Sequence, residues 1–76
     1  MKIRKAGNNM TELSLSNGTD VLFSYETPVA AFVPERGYIR TETHYSATTT
    51  RHINKWLGGH AADESVPQSV IDALVA

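Results

Sequence analysis

Cysteine is absent from the 76 residues, so no disulfide can brace the fold and no thiolate can hold zinc. Domains this small supplement a thin core with disulfides, metals or partners. With the first route closed, a homo-oligomer is the expected supplement. No apolar run approaches the roughly 20 residues of a membrane helix. The basic start, Lys2, Arg4 and Lys5, is followed by Ala6-Gly7-Asn8-Asn9 where a secretory signal would carry its apolar segment. A cytoplasmic location is therefore expected. There is also no excess of either charge: 7 Lys and Arg stand against 8 Asp and Glu, a net of −1. That balance argues against a generic binder of nucleic-acid phosphates. Neither G-x-G-x-x-G nor G-x-x-x-x-G-K-[ST] occurs, so no glycine-rich phosphate loop is present. No G-x-S-x-G elbow presents a nucleophile, and a chain this short has difficulty excluding water from a reaction centre. The chain reads as a non-enzyme without a cofactor.

What is present is a globular composition, 41% hydrophobic and 20% charged, sufficient for one modest core. Residues 1–9 read as a basic arm or a short edge strand ahead of a single domain over residues 10–76. From Met10 the pattern sharpens. Leu13 and Leu15 alternate with polar residues, Asn17-Gly18 interrupts, and Val21, Phe23 and Tyr25 share a face. This predicts a β-hairpin with a type I′ turn, whose central residues need positive φ. Glu26-Thr27-Pro28 reads as a strand break, because proline donates no hydrogen bond. A second hairpin follows, Val29 to Val33 and Tyr38 to Tyr45, joined by Pro34-Glu35-Arg36-Gly37.

At Ser46 the period changes. Ser46, Thr48 or Thr49 can cap a helix running to about Leu57, with Ile53, Trp56 and Leu57 at i, i+3 and i+4 and Gly58-Gly59 as its stop. Ser65-Val66-Pro67-Gln68 reads as the cap of a second helix, with Val66, Val70, Ile71 and Leu74 on its apolar face. The expectation is an α+β fold: an antiparallel meander of about four strands, then two short helices packed on one face.

The chemically richest stretch runs from Arg40 to Trp56. It gathers Arg40, His44, Arg51, His52 and Lys55 among hydroxyl side chains, where a strand passes into a helix start. Free N–H groups and the positive end of the helix dipole suit an anion. Arg40, His44, Ser46, Thr48, Arg51, His52 and Lys55 are the candidate binding residues. The competing reading is structural: the hydroxyls cap the helix, and Arg51 and Lys55, at i and i+4, form its solvated face. Intervals of eight between His44, His52 and His60 do not match metal-ligand spacing. Trp56 reads as core, and Tyr25, Tyr38 and Tyr45 as cross-strand pairs or an interface rim.

The run Tyr45 to Leu57, with Val21-Leu22-Phe23-Ser24-Tyr25 and Thr27-Pro28-Val29-Ala30-Ala31 upstream, resembles short uncharacterised proteins of tailed bacteriophages. That resemblance implies an accessory factor that binds and inhibits a host or defence protein. The alternatives are an oligomeric sponge for an anionic small molecule such as a signalling nucleotide and, more faintly, a nucleic-acid binding module.

Overall fold

The computed structural model describes residues 1–76. Six strands form one sheet in sequence order: β1 (Lys2–Gly7), β2 (Met10–Ser14), β3 (Asp20–Ser24), β4 (Thr27–Val33), β5 (Gly37–Thr41) and β6 (Glu64–Val66). Neighbours from β1 to β5 pair antiparallel, whereas β6 joins β5 in parallel after the intervening helix α1 (Ala47–Trp56). Helix α2 (Gln68–Leu74) follows β6.

The four strands read from the sequence are β2 to β5, and the sheet extends beyond them at both edges. β1 turns into β2 through Asn8-Asn9, with Asn9 at φ 60, a left-handed geometry that asparagine tolerates. β6 takes up Ser65 and Val66, so Ser65 is not a helix cap; Pro67 holds that position without a side-chain bond. The Asn17-Gly18 turn is wider than type I′. Leu15 N–H bonds the Thr19 carbonyl at 2.8 Å, and only Gly18 has positive φ, as in a three-residue loop. Asn17 Oδ1 accepts from Thr19 N–H at 3.0 Å.

Pro28 does not break the chain out of the sheet. Leu22 pairs with Ala30 while Phe23 pairs with Pro28, leaving Val29 as the extra residue of a bulge, where a missing donor is tolerated. The fourth expected strand is shorter than its sequence suggested and ends at Thr41. Thr41 Oγ1 accepts from Thr43 N–H at 3.1 Å and turns away a segment with nothing to bury.

The two helices lie on opposite faces of the sheet, not on one. Adjacent strand residues point to opposite sides, and each side has its own core. Leu22, Ala30, Val29 and Met10 pack with Ile53 and Leu57 around α1. Val21, Ala31 and Ile39 pack with Val66 and Ile71 around α2. Val21, Leu22, Ala30 and Ala31 are all fully buried, which is why the central strands read as continuous apolar runs where a one-sided meander would alternate. Each buried Val, Leu or Ile contributes roughly 1.5–3 kcal/mol, so two shallow cores share the task of one.

The β4–β5 turn is a Pro34-Glu35 turn, with Glu35 at φ 73 and Arg36 N–H bonded to the Val33 carbonyl at 3.0 Å. Proline at its second position and positive φ at its third are the type II pattern. Gly37 follows at φ +92, and a Cβ there would sit 2.5 Å from Asp63 Oδ2. That carboxylate accepts from Tyr38 N–H at 2.9 Å, so the bare glycine lets the loop before β6 close onto β5. Gly37→Ala is expected to cost on the order of 1–2 kcal/mol, read as a lower urea midpoint; an unchanged midpoint would show that this closure is unimportant. Beside it, Arg36 and Glu64 form an exposed two-bond ion pair, both at 3.0 Å. The hydrogen bond from Arg36 is the main cause holding the Glu64 carboxyl below its ordinary value.

Candidate functional site

Helix α1 begins at Ser46, whose Oγ accepts from Thr49 N–H at 3.1 Å. Around this start the structure gathers four of the seven sequence-derived candidates. Ser46 Oγ also donates to Thr49 Oγ1 at 3.3 Å, Arg51 Nη2 donates to Thr48 Oγ1 at 3.4 Å, and His44 Nδ1 lies 3.5 Å from Thr50 Oγ1. Ser46 and Thr48 are thus engaged in capping and local bonding, while the Arg51 and His44 side chains stand in solvent.

The other three candidates separate from this group. His52 turns inward: its Nδ1 lies 2.7 Å from Ser24 Oγ, which is also 3.1 Å from Thr49 Oγ1. Ser24 is only 2% exposed, so this hydroxyl–imidazole contact pins α1 to β3 and presents no nucleophile. Arg40 sits on β5 opposite Ala30, which places it on the α1 side of the sheet. Lys55 is about 10 Å along the helix from Thr48 and faces a different neighbourhood.

That neighbourhood is a cleft of about 620 Å³. It exists because α1 covers β3 and then stops: Gly58, at φ 70, ends the helix and leaves the flanking sheet bare. Lys55 and Trp56 form one wall, Arg4, Lys5, Ala6, Met10 and Glu12 the other, and Asp20, Phe32 and Tyr38 the remainder. The rings make a short run, Phe32 to Tyr38 at 4.9 Å and Tyr38 to Trp56 at 5.7 Å between centroids.

Charges in the cleft are unevenly satisfied. Glu12, on β2, has a side chain only 10% exposed and binds Arg4 Nη2 at 2.7 Å. The Trp56 Nε1–H donates to the same carboxylate at 2.7 Å. Asp20 accepts from Ser14 Oγ at 2.7 Å. Glu12 is therefore ion-paired, whereas Asp20 bonds only a neutral hydroxyl and keeps its charge; Lys5 and Lys55 form no ion pair, nor do Lys2, Arg40 and Arg51. Lys55 is thus left as a cation without an ion-pair partner beside the half-buried Trp56 and the exposed Tyr38.

Residues 1–73 match a single family model, spanning every strand and nearly all of α2. The chain belongs to the family of unknown function DUF8033. No curated protein and no solved structure matches it. Within this DUF8033 fold, Arg4, Lys5 and Glu12 are cleft residues that sequence reasoning missed. The basic start was visible as a signal, but nothing in it showed that β1 returns alongside β2 and so faces Trp56. His44, His52 and His60 do not converge, and no group of three His, Asp or Glu side chains is placed to hold a metal ion.

Proposed function

We propose that this protein is a non-enzymatic binding protein that captures an acidic partner protein at the cleft beside the last turn of α1. One observation carries the reading: Lys55, without an ion-pair partner, lines the cleft with Tyr38 and Trp56, while the Glu12 carboxylate is held by Arg4 and Trp56. Exposed aromatics beside cations are the residue types that anchor protein interfaces. Arg40 and Arg51, on the same side of the sheet, extend the positive surface. In line with the phage-protein resemblance, the partner proposed is a host or defence protein and the consequence its inhibition.

A second reading is supported by size. A cleft of about 620 Å³ falls within the roughly 300–1,000 Å³ of small-molecule sites, and an anionic ligand with an aromatic ring, such as a nucleotide, suits its lining. A copy of the chain closing the open side would complete such a sponge. Nucleic acid is supported least, given the net charge of −1.

The test uses Tyr38→Ala combined with Lys55→Glu, both exposed positions. Wild type and variant are immobilised and challenged with bacterial lysate, and in parallel with a nucleotide panel read by thermal shift. The double variant is expected to lose at least about tenfold in partner capture with an unchanged circular dichroism spectrum. Undiminished capture removes the cleft from consideration; a thermal shift with a nucleotide and no protein captured transfers the site to the second reading.

A further inference from the structure

Strand β1 pairs with β2 on one side only, and its other side is a free edge of the sheet. Such an edge offers unpaired backbone N–H and C=O groups to any extended chain. The opposite edge is far less inviting: β6 has three residues, its Glu64 is held by Arg36, and Asp63 just before it is held by Tyr38 N–H. β1 has six residues, and its Ile3 is 70% exposed between Lys2 and Arg4. On the α2 face, Ile3 adjoins a hollow of about 230 Å³ formed with Thr11, Leu13, Phe23 and Tyr25.

We propose that β1 is a docking strand that receives an extended acidic segment of a partner protein as a seventh strand of the sheet. Backbone hydrogen bonds give such an addition its affinity, and alternate side chains give it specificity. By strand alternation Lys2 and Arg4 point to one face, where Arg4 is already held by Glu12 and Lys2 is free, and Ile3 and Lys5 point to the other. The matching segment therefore has acids at every second position and an apolar residue between them, over Ile3 and its hollow.

A second copy of the chain does not fit this edge. Every antiparallel register that overlaps five or more of the six residues of β1 with its copy sets two cations opposite, Arg4 to Lys5, Arg4 to Arg4 or Lys5 to Lys5, and like charges directly opposite are destabilising. Head-to-tail pairing with β6 meets acids already bonded within their own chain. β1 also lines the cleft through Arg4, Lys5 and Ala6, but the Ile3 hollow lies on the opposite face and shares no residue with it, so either site can fail alone.

The test titrates isotope-labelled protein with a synthetic ten-residue peptide alternating glutamate and valine, and with its lysine–valine counterpart. The acidic peptide is expected to move the amide resonances of β1, Thr11 and Phe23 and to slow β1 hydrogen exchange about tenfold; the basic peptide leaves both unchanged. Lys2→Glu, at an exposed site outside the cleft, is expected to weaken the acidic peptide about fivefold. Tyr38→Ala with Lys55→Glu leaves it unaffected. Shifts confined to Lys55 and Trp56 overturn edge docking while supporting the cleft. Shifts produced by protein concentration alone assign the edge to a second copy, and equal or absent responses to the two peptides also overturn the proposal.

Discussion

Leu22→Ala is expected to remove about 3 kcal/mol of stability, within the range of 2–5 kcal/mol for emptying a packed leucine site. Leu22 is fully buried at the centre of β3, beneath Ile53 and Leu57 of α1. Its pair neighbours are Glu12 and Ala30, one held in a charged network and the other too small to move into the space, so the cavity cannot collapse. A chain of 76 residues has a total stability of only about 4–11 kcal/mol. The loss should therefore approach half of it, read as a large fall in the urea midpoint with the slope unchanged. A loss below about 1 kcal/mol would show that α1 is not seated on this residue.

Glu12→Ala is the second large effect, about 2–3 kcal/mol, because it deletes hydrogen bonds to a charged group at a buried position. The substitution leaves the Trp56 indole N–H without an acceptor and Arg4 without its counter-ion. Glu12→Gln separates the two contributions: an amide oxygen still accepts from Trp56 but no longer neutralises Arg4. The alanine variant should lose stability and shift Trp56 fluorescence to longer wavelength as water reaches the ring, whereas the glutamine variant should keep the native emission. Identical spectra for Glu12→Ala and wild type would deny the indole contact. Because the same carboxylate joins β1, β2 and α1, this residue shapes the cleft as well as the fold.

The central hairpins were legible because their signals are local. Asn17-Gly18 and Pro34 to Gly37 mark turns, Ser46 caps α1, and Gly58 stops it, all within a few residues of the features they control. Of the two edge strands, β1 was legible only as an alternative to a loose basic arm, and β6 was not legible. β1 buries none of Lys2 to Lys5, so no hydrophobic period marks it; only its register with β2 makes it a strand. β6 is three residues long and precedes Pro67, so Ser65 resembles a helix cap until the distant β5 claims it. Placing the helices on opposite faces depended on reading Val21-Leu22 and Ala30-Ala31 as buried on both sides of the sheet, a signal only two residues long in each strand. Of the candidate site, the helix start was visible from hydroxyl and cation clustering. The cleft was hidden because Arg4 and Glu12 meet Trp56 across a separation of more than forty residues in sequence.

The parallel pairing of β5 with β6 has a kinetic meaning. Strands β1 to β5 are linked by short turns, so each ladder can close as soon as its hairpin bends, at little entropic cost. β6 reaches β5 only after the whole of α1 has been traversed, and α2, which rests on β4 and β5, follows it in the chain. The amino-terminal meander is thus the natural nucleus, and the carboxy-terminal segment arrives last and leaves first. Heat or denaturant should peel the molecule from its end, exposing Val21, Ala31 and Ile39 before the α1 core is disturbed.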